Sequence, residues 1–257
     1  MTKQMNLAIL DLYSNGANTC IPKVTLKALD SGSLLDIDGN LSSAGKRYVI
    51  AKMPLWKQCA ELSLEYQEIN FTYEGKPEPA LLKHYKSLGY VGSCSEGIAI
   101  LTALKALMLD ELQKSSGGRV RACTGYLEGQ LFVLKDRVDE IISSISKVTK
   151  KNFLINFSDI ICQSSAQMDN CPELSIDFAD AIFDAIETSL FIKLAARITQ
   201  EPYTLRNGWP DLTLVRGDEV KFIEVKTTDK LHESQLVTIP VIRELLPFQF
   251  SVYRLRK

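Results

Sequence analysis

A chain of 257 residues, 46% hydrophobic and 24% charged, can bury a sizeable core and is expected to hold one large domain and a small one. Its formal net charge of −1 excludes a uniformly basic surface, and no apolar run reaches the ~18–20 residues of a membrane span. Six cysteines without C-x-x-C spacing, two histidines and the absence of a signal-peptide pattern point to free thiols in a cytoplasmic protein, with little material for a zinc site or a Ser/His/Asp triad.

From the N-terminus, Met5, Ala8, Ile9 and Leu12 recur at helical spacing and predict a helix over 4–14, ended by Asn15-Gly16. Pro22 suits the first turn of a second helix over 22–31. Asp38-Gly39-Asn40 is a turn signal between short apolar pairs, and Ser42 is placed to cap a helix from about 43 to 68. Helix, helix, tight hairpin, helix suits a winged-helix-like module over 1–70, and equally a helical cap packing on a larger domain. If the module binds DNA, Lys23, Lys27, Lys46, Arg47, Lys52 and Lys57 are its phosphate contacts; otherwise they are solvated charges. Residues 1–60 carry seven Lys or Arg against four Asp or Glu, so local charge here is basic.

Helices are expected over 78–88 and 96–114, the second with a core stripe of Ile100, Leu101, Leu104, Leu107 and Met108. Ser115-Ser116-Gly117-Gly118 breaks it, and with no following G-K-[ST] those glycines form no phosphate loop. A helical insertion follows over about 115–200, with helices at 134–147 and 174–196. In the second, Leu174, Phe178, Ile182, Ile186, Leu190 and Leu194 recur every four residues, and Asp177, Asp180, Asp184 and Glu187 take the opposite face. Residues 158–188 hold seven acids and no basic residue, so much of the bulk acidity sits in one segment.

WPDLTLV-RGDE-VKFIEVK then reads as a hairpin: two β-branched runs joined at Arg216-Gly217-Asp218-Glu219. Side chains alternate along a strand, so Phe222, Glu224 and Lys226 share one face, with Lys226 about 7 Å beyond Glu224. Asp211 opens the partner strand and can approach Glu224 across the ladder. Two carboxylates and an ammonium then converge, which is costly in a core unless compensated. A hard divalent cation, Mg²⁺ or Mn²⁺, is the usual compensation for carboxylate and carbonyl oxygens. Held by Asp211 and Glu224, with the Val225 carbonyl as a further ligand, it would polarise a phosphoryl oxygen and acidify a water, while Lys226 orients that water. Spacing alone favours a solvated sheet face. Against it, Phe222 shares that face, and Pro210-Asp211 places the carboxylate at a strand entrance.

Gly208-Trp209-Pro210-Asp211-Leu212, Phe222-Ile223-Glu224-Val225-Lys226, Asp229-Lys230-Leu231 and Gln235 together resemble the VRR-NUC domain, a branch of the PD-(D/E)XK nuclease superfamily that includes the Fanconi-associated structure-specific nucleases. The resemblance runs over roughly 74–257, strong at 205–235 and fair at 78–112. Upstream, EPALLKHYKSLGYVGSCSEG is similar to that family's E-x-x-x-L-x-x-Y-x-x-x-G helix and following Ser-Glu-Gly. The resemblance implies an α/β, restriction-endonuclease-like core, a mixed sheet flanked by helices, over 71–257. It implies a site of Glu96, Asp211, Glu224 and Lys226, with Gln235 in support. His232 and Lys230, close to the EVK strand, are further candidates for phosphate contact. Thr227-Thr228 stands where the family commonly has Gly-Pro, and the loop is one residue shorter. A helix ending before Pro247, limited or kinked by Pro240, and a strand over 248–255 complete the expected fold.

The implied activity is metal-dependent hydrolysis of DNA phosphodiesters. Two uses fit it: cutting flaps or branched DNA in repair, beside a repair factor, or attacking foreign or rival DNA as a defence nuclease or antibacterial toxin, with an immunity protein as partner. The rival from another class is a non-catalytic DNA-binding adaptor that keeps the fold.

Overall fold

The computed structural model describes residues 1–16, 20–164, 171 and 173–257. Helix α1 (Lys3–Asn15) is capped by Thr2, whose Oγ1 accepts from the Met5 N–H at 3.2 Å. It packs with α2 (Lys23–Ser31) and α3 (Ser43–Lys52) around Ala8, Ile9, Leu12, Leu29, Leu41 and Val49. Between α2 and α3, Asp36 Oδ1 accepts from the Asp38 and Asn40 N–H groups at 3.0 and 2.9 Å. The turn forms, but its ladder is a single Leu35–Leu41 bridge, shorter than the hairpin expected from the sequence.

Ser42 does cap α3, accepting from the Gly45 N–H at 3.1 Å. The helix expected to reach residue 68 nevertheless stops at Lys52. Pro54 disfavours helical geometry at the residue before it, and Met53 turns extended (φ −70°, ψ 157°). A short helix α4 (Leu55–Glu61) and strand β1 (Glu65–Asn70) take up the remainder.

The sheet has the order β1-β5-β4-β3-β2, with β2 Val91–Ser93, β3 Leu212–Arg216, β4 Glu219–Lys226 and β5 Gln249–Arg256. β1 and β4 lie parallel to β5; β3 is antiparallel to β4 and to β2. The result is the mixed sheet expected of this fold class. β1 pairs with β5 along its whole length, so a boundary at residue 70 would separate an edge strand from its sheet.

Helices cover both faces. α5 (Pro77–Ser87) lays Leu81 and Leu82 against Leu212, Leu214, Ile223 and Val225. On the other face, Val220, Phe222, Phe250 and Val252 join the larger core around α6 (Ile98–Ser115). α7 (Arg119–Thr124), α8 (Leu127–Val133), α9 (Val138–Ser144), α10 (Lys150–Gln163), α11 (Ile176–Ala185) and α12 (Thr188–Gln200) extend that core.

The single helix expected over 174–196 is two. Apolar residues spaced strictly every four drift about 40° per step on a 3.6-residue helix, so no one straight helix buries the whole stripe on one surface. The break comes at Ile186-Glu187, where the backbone turns extended, and α12 re-aims the remainder. The acidic face is partly engaged: Lys150 Nζ lies 2.8 Å from Asp180 and 2.7 Å from Asp184.

The last helix, α13 (Glu233–Leu245), runs through Pro240 rather than stopping at it. Among the described residues no helix is long and apolar enough to cross a membrane.

Candidate active site

The C-terminal ends of β1, β4 and β5 and the start of β3 meet at one end of the sheet, by strand direction. The β3–β4 turn is tight, with Gly217 at φ 58° joining strands that end at Arg216 and restart at Glu219. Leu212 opposite Ile223 fixes the register. Carried one step further, that register sets Asp211 opposite Glu224, and Asp211 Oδ2 accepts from the Val225 N–H at 2.8 Å.

The charges expected on a shared face are there, and the face is not solvated. Glu224 is 1% exposed and Lys226 5% exposed. Lys226 Nζ stands 2.8 Å from Glu224 Oε1 and 3.2 Å from Asp229 Oδ2. Gln235, in the first turn of α13, donates from Nε2 to Glu224 Oε1 at 2.6 Å, while its Oε1 accepts from the His232 N–H at 2.9 Å. Gln235 thus ties the helix start to the acid and fixes which way its amide points.

Among the described residues, Glu224 Oε2 is buried with no hydrogen-bond partner. A native core rarely leaves a carboxylate oxygen orphaned, because its desolvation is uncompensated. Burial, and then Asp211, push the Glu224 carboxyl up to about 8, against the pull of Lys226 and Gln235. Burial likewise lifts Asp211 to about 6, opposed by the Val225 N–H and reinforced by Glu78 and Glu96. Burial works to lower the Lys226 ammonium, but Glu224 and Asp229 outweigh it and hold its proton tightly. Two hard oxygen donors with an unsatisfied lone pair fit a divalent cation such as Mg²⁺ or Mn²⁺. Among the described residues no three acidic, histidine or cysteine side chains close into a preformed cluster.

Glu96 reaches this end of the sheet in an unusual way. It precedes α6, is exposed, and holds φ 50°, the left-handed region that non-glycine residues seldom take. Its N–H points at the Asp211 carbonyl, 3.3 Å away. The next residue explains the local sequence. A Cβ on Gly97 would stand 2.4 Å from the Trp209 ring, so the indole packs directly on the Gly97 backbone. Trp209 Nε1 donates to the Leu205 carbonyl at 2.8 Å, and Gly208 (φ 85°) lies so close to Ser234 that a Cβ would meet its carbonyl at 2.4 Å. Ser95-Glu96-Gly97 and Gly208-Trp209-Pro210-Asp211 are therefore halves of one packing unit.

Glu78 was not among the candidates, yet its charge raises Asp211 more than that of Glu96. It sits in the first turn of α5. The signal was in the sequence: Glu78 heads the E-x-x-x-L-x-x-Y-x-x-x-G segment, and Pro79 marks a helix start beside it.

The basic candidates are dispersed. Lys230 Nζ donates to the Lys52 carbonyl at 3.0 Å, joining the loop after β4 to the end of α3. His232 is exposed, with Nε2 3.6 Å from Asp229. Lys57 is exposed on α4, Lys46 is exposed and Arg47 half-buried on α3, and Lys23 and Lys27 are exposed on α2, which packs on α1.

No protein-family model and no curated protein matches the sequence. Among solved structures, the chain is similar to paFAN1 bound to 1-nucleotide 5′ flap DNA with a gap, at 15% identity and a TM-score of 0.47, covering 98% of this chain and 52% of that one. A second paFAN1 structure, bound to 2-nucleotide 5′ flap DNA with a gap, gives 14% identity and the same 0.47, covering 99% of this chain and 52% of its own. The chain thus spans about half the length of paFAN1, to which it is similar over nearly its entire length.

Proposed function

We propose that this chain is a divalent-metal-dependent DNA nuclease of the VRR-NUC, PD-(D/E)XK type. The observation that carries this reading is the buried Glu224 with the half-buried Asp211 opposite it, Lys226 on one Glu224 oxygen and the other oxygen unsatisfied among the described residues. A core with no task for these charges would be more stable with apolar residues in their place.

Asp211 and Glu224 would hold the cation, and Glu96, Glu78 and the Val225 carbonyl would be the further donors. Bound there, Mg²⁺ or Mn²⁺ supplies Lewis acidity for a phosphoryl oxygen and eases ionisation of the attacking water. Lys226, anchored by Glu224 and Asp229, aims an ammonium at the water and at the charge that grows on the phosphoryl oxygens. The water gives a proton to solvent as its oxygen bonds to phosphorus, one ester P–O bond breaks, and the departing oxygen takes a proton from solvent. Gln235 positions Glu224.

The N-terminal helices serve as a winged-helix-like DNA-binding module, contacting phosphates through Lys23, Lys27, Lys46, Arg47, Lys52 and Lys57, with Lys230 and His232 nearer the cut. The sequence resemblance to structure-specific nucleases favours flap or branched DNA as substrate. The test is a gel assay of the full chain on single-stranded, duplex, flap and junction DNA, with Mn²⁺ and with EDTA. Cleavage that needs the metal and prefers a branched substrate is expected. DNA binding by a protein that binds no divalent metal and cuts none of the four would leave the adaptor reading standing instead.

A further inference from the structure

Three large aromatic side chains stand exposed on α8 and the 201–207 segment. Tyr126 is 59%, Phe132 57% and Tyr203 56% exposed. Phe132, on α8, meets Tyr203 with ring centroids 5.9 Å apart. One turn further along the 201–207 segment, Arg206 lays its guanidinium over the Tyr126 ring at 4.9 Å. Its Nε is held at 3.1 Å by Glu128, itself buried. The two pairs lie on the same two segments: Tyr126 and Phe132 at the start and end of α8, Tyr203 and Arg206 one turn apart in the 201–207 segment, so we treat the four as one strip.

The strip is tied to the candidate active site. Arg206 precedes Asp211 by only five residues, and the Leu205 carbonyl takes the hydrogen bond of Trp209, whose ring rests on Gly97 beside Glu96. Leu101, in the first turns of α6, lines the same small cleft as Leu127, Glu128, Leu205 and Arg206.

We propose that this strip binds unpaired bases of single-stranded DNA next to the cleavage site, by stacking on Tyr203, Phe132 and the Tyr126–Arg206 pair. Apolar area alone would suit any greasy partner. Exposed rings beside a planar guanidinium that Glu128 holds flat against Tyr126 suit the flat π-faces of bases, because each offers a stacking surface. The inference rests on the nuclease reading for its location, and it specifies the substrate feature that the same site engages.

The experiment uses the full chain in EDTA, so that binding is read without cleavage. The probe is a 12-nucleotide oligothymidylate carrying one 2-aminopurine, whose fluorescence is quenched by stacking. Wild type is compared with Tyr203→Ala, Phe132→Ala and, as the conservative control, Tyr203→Phe. Each alanine is expected to weaken binding about tenfold and relieve the quench, whereas Tyr203→Phe keeps both. Affinity for blunt duplex stays unchanged in all of them. The rings are exposed, so thermal midpoints matching wild type certify folding. Unaltered single-strand binding in both alanine variants overturns the proposal. So does unaltered binding accompanied by loss of wild-type self-association in sedimentation, which would make the strip a protein interface. A parallel cleavage assay in Mn²⁺ separates the two readings: quenching without any cleavage sinks the nuclease and keeps the strip, and cleavage without quenching does the reverse.

Discussion

The charges at the end of the sheet and those of the N-terminal helices obey opposite rules. Glu224 and Lys226 are almost wholly buried, whereas Lys23, Lys27, Lys46 and Lys52 are exposed. An exposed lysine costs folding almost nothing and its attraction to phosphate is screened by salt. A buried carboxylate with an empty lone pair costs stability at every moment, so its retention calls for a task in which removing it has a disproportionate effect. Variants in the two regions should differ accordingly, in kind as well as size.

The largest effect is expected at the charges of the sheet end. Asp211→Asn keeps an acceptor for the Val225 N–H but removes the charge, so the protein should fold and cut at least ~10²-fold more slowly. Lys226→Met should do the same in steady-state cleavage assays. Lys226→Ala should also unfold more easily, because it strands Glu224 in the core.

Next come the glycines that hold the site together. Gly208→Ala places a Cβ at 2.4 Å from the Ser234 carbonyl with φ at 85°, and should lower stability by roughly 1–3 kcal/mol in urea denaturation. Gly97→Ala drives its Cβ into the Trp209 ring, with a similar cost and a larger loss of cleavage, since Glu96 moves with it.

The pH response should follow from the two acids. Asp211 and Glu224 hold protons more tightly folded than unfolded, their values rising from 3.8 to about 6 and from 4.5 to about 8. Their contribution to stability in EDTA is therefore full below about pH 4 and is lost as pH rises toward 8. A divalent cation competes with those protons. Mn²⁺ should raise the thermal midpoint by several degrees at pH 8 and by little at pH 5.5, and Asp211→Asn should abolish the difference. An equal rise at both pH values would mean that the cation binds elsewhere.

The smallest effects belong to the module. Lys46→Ala or Lys52→Ala should weaken DNA binding only a few-fold and reduce the salt slope by about one, with turnover of bound DNA unchanged. A thousandfold loss from either would erase the distinction between the two regions.

The hairpin was legible because strand alternation, a turn signal and a carboxylate at a strand entrance all pointed to one geometry, and the structure sets Asp211 against Val225 and Lys226 against Glu224. Pro54 was legible too, yet a capped apolar run suggested one helix to residue 68 and hid strand β1 inside it. The 174–196 stripe misled because its four-residue recurrence resembles helical periodicity while drifting away from it. Glu78 escaped because its role depends on where α5 begins relative to a sheet end, a long-range fact that no local spacing records. The packing of Trp209 on Gly97 is of the same kind: each residue is visible, but their partnership across 112 positions is not.

The role of Asp211 is tested most directly by cleavage of end-labelled branched DNA in Mn²⁺ at pH 8 by wild type and by Asp211→Asn prepared side by side. Metal-dependent cutting by wild type, lost at least ~10²-fold in a folded variant, is the predicted result. Equal cutting by the two proteins, or none by either, would contradict it.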